Sequence, residues 1–74
     1  MSVFMSKKIL KEFGLRIKEL RQERGLTQEQ FATKCGLHKN YIGMIERGER
    51  NPSLINIEII AKGLEISISK LMKF

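Results

Sequence analysis

Three features of the sequence predict an all-α fold of five short helices. Apolar residues recur at steps of three and four, the spacing of one helix face. Punctuation comes at Gly25, Gly36, Gly48 to Pro52 and Leu64 to Ser67, dividing the chain into five segments. No segment sustains the period of two that a half-buried strand requires. The brief alternation Glu65-Ile66-Ser67-Ile68-Ser69 has no second strand to pair with.

The first helix is expected from about Lys8 to Arg24, with residues 1–7 as a flexible arm. Leu10, Phe13, Ile17 and Leu20 form its inner face, and Lys11, Lys18 and Glu19 lie opposite. Arg24 and Gly25 close it, a cation in the last turn followed by a residue tolerant of positive φ. The second begins at Thr27, where T-Q-E-Q is a capping box with Gln30 reaching back. Phe31, Ala32 and Cys35 face inward, and Gly36 ends it. The third runs from His38 or Lys39 to Arg47. Ile42 and Ile45 point inward behind Leu37, while Lys39, Asn40, Tyr41, Gly43, Met44 and Arg47 make the other face. The loop G-E-R-N-P leads to Ser53, the N-cap of a fourth helix from Leu54 to about Gly63. A fifth, from Ile68 to Met72, is capped by Ser67.

With 74 residues the chain has room for one domain, 1–74, and a modest core. One cysteine, Cys35, and one histidine, His38, exclude a disulfide framework and a zinc site, and no other metal or cofactor is expected. Cys35 reads as a small buried hydrophobe. No nucleophile–base pair or phosphate-binding glycine loop is visible, so an enzyme is not expected. No apolar run approaches a membrane span, and M-S-V-F-M-S-K-K lacks a signal-peptide core, so a cytoplasmic protein is expected. Lysines and arginines number 14 against 8 acids, a net charge of +6, which favours a polyanionic partner, nucleic acid before membrane.

The spacing across the second and third helices is more specific. Ala32 is small where the next helix must cross closely, and Gly36 lies where the chain needs a left-handed turn. Leu37, Ile42 and Ile45 plug the angle between these helices and the first. This is the sequence form of a helix-turn-helix over about 27–47, and it points to DNA.

The stretches L-R-Q-E-R-G-L-T-Q-E-Q-F-A and Y-I-G-M-I-E-R-G-E-R-N-P-S-L resemble the phage-repressor-type, or lambda repressor-like, helix-turn-helix family. The resemblance continues through A-K-G-L-E-I-S-I-S-K-L. Within that family, L-H-K-N-Y-I and I-E-R-G-E-R-N-P-S look most like the controller proteins of restriction–modification systems. The resemblance implies a homodimer that binds a palindromic double-stranded operator and regulates its own gene and that of the endonuclease. A phage-type repressor, or an antitoxin-like module that binds another protein, is the alternative. The chain departs from the family at Glu65, where most members have glycine.

In this architecture Lys39, Asn40 and Tyr41 open the helix that enters the major groove. Lysine can donate to guanine and asparagine can pair with adenine; the competing reading is a solvated polar face. Tyr41 can instead cover the core edge and offer its hydroxyl to a phosphate. Gly43, costly in a helix by about 1 kcal/mol, leaves room for a base or backbone to approach. His38 reads as a cap or phosphate neighbour. The resemblance implies that Gln28 holds the DNA backbone and that Arg50 contacts bases or phosphates. Arg47 and Asn51 then hold the backbone; the alternative for the two arginines, Arg47 and Arg50, is charge pairing with Glu46 and Glu49. The resemblance also suggests a partly buried pair between Glu46 and Arg21. Residues 1–26 carry net +4 and residues 27–52 only +1, so Lys7, Lys8 and Lys11 are expected to supply non-specific attraction. By analogy with phage activators of this fold, Glu29 is the candidate contact to RNA polymerase.

At about 100° per residue, the fourth helix places Leu54, Ile57, Ile60, Ala61 and Leu64 toward the core. Ile55 and Ile59 fall opposite and, with Ile68, Met72 and Phe74, mark a dimer interface within about 53–74.

Overall fold

A computed structural model describes the backbone from Val3 and the side chains from Lys8 onward. Its helices are α1 (Val3–Glu23), α2 (Gln28–Cys35), α3 (Lys39–Glu46), α4 (Leu54–Gly63) and α5 (Ile68–Leu71). The four later elements match the expected ones to within a residue or two, and Met72 is the cap of α5 rather than its last turn. The first helix starts five residues early. No glycine or proline lies between Val3 and Phe13, so nothing stops the helix where its core-facing residues begin. Residues 3–7, expected as a flexible arm, are therefore helical, whereas residues 1–2 and the Lys7 side chain lie outside the described residues.

Each later helix starts on a side-chain cap. Thr27 Oγ1 accepts from Gln30 N at 3.1 Å while Gln30 Oε1 accepts from Thr27 N at 2.9 Å, the reciprocal box. His38 Nδ1 accepts from Asn40 N at 3.1 Å, and Ser53 and Ser67 cap α4 and α5 in the same way. Gly36 ends α2 in the left-handed conformation. The N–H of Leu37 closes that turn on the Ala32 carbonyl at 2.9 Å. Two arginines, Arg16 of α1 and Arg24 just after it, serve the other helix ends: Arg16 donates to the carbonyls of Lys70 and Leu71, and Arg24 to that of Leu64.

The core joins all five elements: Phe13, Ile17 and Leu20 of α1, Phe31 and Ala32 of α2, Ile42 and Ile45 of α3, Ile60 and Ala61 of α4 with Leu64, and Leu71 of α5. At Gly14 of α1 a Cβ would fall onto the backbone carbonyls of Ile45 and Glu46, so this glycine sets how closely α1 and the end of α3 approach. The helical wheel fails at Leu54, which is 73% exposed instead of facing the core. It is the first residue of α4, ahead of the turn that packs, and the buried Pro52 fills the core edge there instead. Ile55 is 71% exposed as expected, whereas Ile59 is half-buried. Ile68, Met72 and Phe74 also reach the surface, and the Phe74 ring leans on Phe13 at 6.1 Å between centroids. Glu65 has a positive φ, the left-handed conformation that the family's glycine would take without strain.

Candidate nucleic-acid interface

The N-termini of α2 and α3 meet at an open depression lined by Gln28, Lys39, Asn40, Gly43, Met44 and Arg47. Its position follows from the core. Ile42 and Ile45 are locked inward, which turns Asn40 to the opposite side, and Lys39 is the first residue of α3, at its very end; both are exposed. Gln28, Lys39, Asn40, Gly43 and Arg47, all expected at DNA, thus share one concavity.

Beneath it lies a buried ion pair. Arg21 Nε and Nη2 reach Glu46 Oε2 and Oε1 at 2.6 and 3.0 Å, with side chains only 8% and 2% exposed. This is the forked arrangement that gives arginine–carboxylate pairs their strength. Arg21 Nη1 also donates to the Leu26 carbonyl at 2.8 Å, and Gln28 Nε2 donates to Glu46 Oε1 at 3.0 Å. The pair expected between Arg21 and Glu46 is present and more deeply buried than the sequence suggested. It fastens α1, α2 and α3 at the floor of the depression.

Several expectations change with this geometry. Gln28 is half-buried, and its amide is engaged by Glu46 instead of projecting to a phosphate. The α2 backbone remains suited to that role: Gln30 N bonds to the cap, while the N–H groups of Gln28 and Glu29 belong to the first turn, which has no intrahelical acceptors. Gly43 is buried. A Cβ there would meet the ends of Arg47 and Gln28 at 3.1 and 3.5 Å, so the glycine leaves room for the Arg47 guanidinium beside it. Arg47 is exposed but forked onto Glu49, with Nε–Oε2 at 2.9 Å and Nη2–Oε1 at 3.2 Å. That hydrogen bond raises the Arg47 pKa and holds the Glu49 carboxyl below its ordinary range. Of the two readings of Arg47 from sequence, pairing with Glu49 is the one found.

His38 is the α3 cap, with Nδ1 occupied by the Asn40 N–H. Tyr41 is half-buried against the core edge. Its hydroxyl accepts from Asn56 Nδ2 of α4 at 2.9 Å. The Arg50 guanidinium stacks over the face of its ring. Asn51 is exposed away from the depression, beside an apolar cleft lined by Ile9, Leu10, Phe13, Pro52, Ile57 and Met72. Glu29 is exposed on the outer side of α2, beside Thr27, Gln30 and Thr33. Sequence reasoning missed Asn56 as a neighbour of the site. Asn56 lies 15 residues from Tyr41, and no local signal joins them.

Comparison with known proteins agrees with this geometry. A profile described as helix-turn-helix matches residues 17–71. The control protein C.MunI of Mycoplasma sp is 47% identical over 60 residues, 80% of this chain and 81% of that protein. The crystal structure of the restriction-modification controller protein C.AhdI from Aeromonas hydrophila superposes with a TM-score of 0.86 at 45% identity, covering 88% of this chain and 98% of that one. The controller protein C.Esp1396I, solved as a tetramer in complex with its natural 35 base-pair operator, superposes at 0.80 with 41% identity over 86% of this chain and 84% of that one. The chain belongs to the helix-turn-helix family and is similar, within it, to the control proteins of restriction–modification systems.

Proposed function

We propose that this protein is a sequence-specific transcriptional regulator that binds a palindromic operator as a homodimer, and that it controls its own gene and the endonuclease gene of a restriction–modification system. The observation that carries the reading is the exposed N-terminus of α3, with Lys39 and Asn40 projecting beside the start of α2. In a helix-turn-helix, these are the residues that reach base edges, while the preceding helix sits across the backbone. Lys39 donates to guanine O6 or N7 and Asn40 pairs with the adenine edge. Backbone N–H groups at the start of α2, with His38, Arg47, Arg50 and Asn51, hold phosphates on either side. Docking requires Arg47 to exchange Glu49 for a phosphate, an exchange of one exposed anion for another. The similarity to C.Esp1396I, solved on its operator, supports the same partner here.

The second copy docks through α4 and α5. Ile55, Ile68, Met72 and the half-buried Ile59 form its contact, and the exposed Leu54 beside Ile55 enlarges it. Two-fold pairing presents two α3 helices to successive major grooves about 34 Å apart. Glu29, exposed on the outer face of α2, is the contact to RNA polymerase where the regulator activates. The protein works in the cytoplasm, on DNA, and is not an enzyme. Among the described residues no helix is long and apolar enough to cross a membrane.

A salt titration on duplex DNA tests the reading. Affinity for a selected duplex falls linearly in log salt, with a slope set by the phosphates contacted. A protein–protein module gives no duplex binding. Sedimentation of Ile55→Lys/Ile59→Lys tests the interface: the expected species is a monomer, and an undisturbed dimer removes it.

A further inference from the structure

Among the contacts around α3, the one made by Asn56 has no role in folding the helix that carries it. Asn56 lies in the first turn of α4, where its backbone N–H already bonds to the Ser53 cap at 3.1 Å. Asparagine is a poor helix former, and the cap needs nothing from its side chain. The amide instead crosses to α3 and donates to the Tyr41 hydroxyl at 2.9 Å. Tyr41 in turn lies under the guanidinium of the exposed Arg50, 5.3 Å from the ring centroid.

Each bond fixes the next group. The bond from Asn56 ties the Tyr41 hydroxyl to α4. A phenol ring held at its hydroxyl keeps one orientation, and the cation stacked on it keeps one place. Arg50 otherwise swings on a long stem and loses rotamer freedom on binding. We propose that Asn56 is a positioning residue for sequence recognition, acting through Tyr41 to place Arg50 against DNA. This rests on the regulator reading above and extends it to α4, the helix assigned to dimer contact. The specificity of the site is thereby tied to an element that does not itself enter the groove.

The test uses the full-length chain and the duplex that it selects from a randomised library, with a scrambled duplex of equal length and salt as reference. Asn56→Ala is expected to weaken binding to the selected duplex about three- to ten-fold, the range for one lost hydrogen bond. Binding to the scrambled duplex stays unchanged, so the ratio of the two falls. Tyr41→Phe removes the same bond from its other end, lowers the ratio alike, and stands in if Asn56→Ala melts early. In an Arg50→Ala background, Asn56→Ala causes no further loss. Equal losses on both duplexes make Asn56 merely structural and overturn the proposal. So do losses that multiply with Arg50→Ala, because the two residues then act independently. If the wild-type chain selects no duplex at all, the regulator reading itself fails, a result distinct from either.

Discussion

Glu46→Ala tests the largest single dependence in the structure. The wild-type carboxylate is 2% exposed and accepts three hydrogen bonds, from Arg21 Nε and Nη2 and from Gln28 Nε2. Alanine removes both acceptor oxygens, and with them all three bonds, and leaves a guanidinium, 8% exposed, whose remaining partner is the Leu26 carbonyl. Breaking a buried pair from one side costs about 3–5 kcal/mol, because the surviving charge is uncompensated. At roughly 0.05–0.15 kcal/mol per residue, a chain of this length has a total stability of about 4–11 kcal/mol, so this one change removes about a quarter of it or more. Urea unfolding followed by circular dichroism reads the loss, and the expected outcome is a domain partly or wholly unfolded without denaturant at low dimer concentration. Arg21→Met with Glu46→Leu removes both charges and keeps comparable volume, so most of the stability returns. Should Glu46→Ala unfold within about 1 kcal/mol of the wild type, the pair is not the fastener described here.

Lys39→Ala or Asn40→Ala is expected to leave the fold intact and relax sequence preference by about 1–3 kcal/mol at the base pair each reads, measured by competition between selected and single-mismatch duplexes. Glu65→Gly relieves the left-handed strain at this position and raises the melting temperature, despite losing the exposed Lys34 bond at 2.9 Å. Hydrogen bonding to Lys34 holds the Glu65 carboxyl below its ordinary range, so that bond stabilises the wild type above the unfolded carboxylate pKa and is lost as pH falls. The advantage of glycine therefore widens toward about pH 3, and a melt series that narrows instead contradicts the assignment. Burial pushes the Cys35 thiol up, against the lowering influence of Lys34, so alkylation by iodoacetamide at about pH 8 runs slower than for the urea-unfolded chain. Equal rates would show that the thiol is not shielded.

What the sequence made legible was chemistry confined to one turn. The Thr27–Gln30 box, the Ser53 and Ser67 caps and the left-handed Gly36 each join residues two to five apart, and all appear where spacing placed them. The exposure of Asn40 was equally legible, since the phase of α3 is fixed by Ile42 and Ile45. Leu54 misled because a helical wheel assumes a core alongside the whole helix, and here the core stops short of its first residue. The need for Gly14 was not legible, because the carbonyls that require it belong to Ile45 and Glu46, far along the chain. Gly43 read from sequence as room for DNA, and in the fold its nearest neighbours are the ends of Arg47, four residues on, and of Gln28 from α2. Charge shows the limit most clearly. Net charge located the basic excess in residues 1–26, yet Arg16, Arg21 and Arg24 of that segment are bonded to carbonyls or to Glu46 within the fold. Their field still attracts a polyanion at long range. In the proposed complex, contact with DNA falls instead to a segment almost neutral in sum, where Arg47 is balanced by Glu49 and Arg50 is held on Tyr41. Attraction and recognition then draw on different residues, a division the charge count already suggested and the bonded arginines of α1 sharpen.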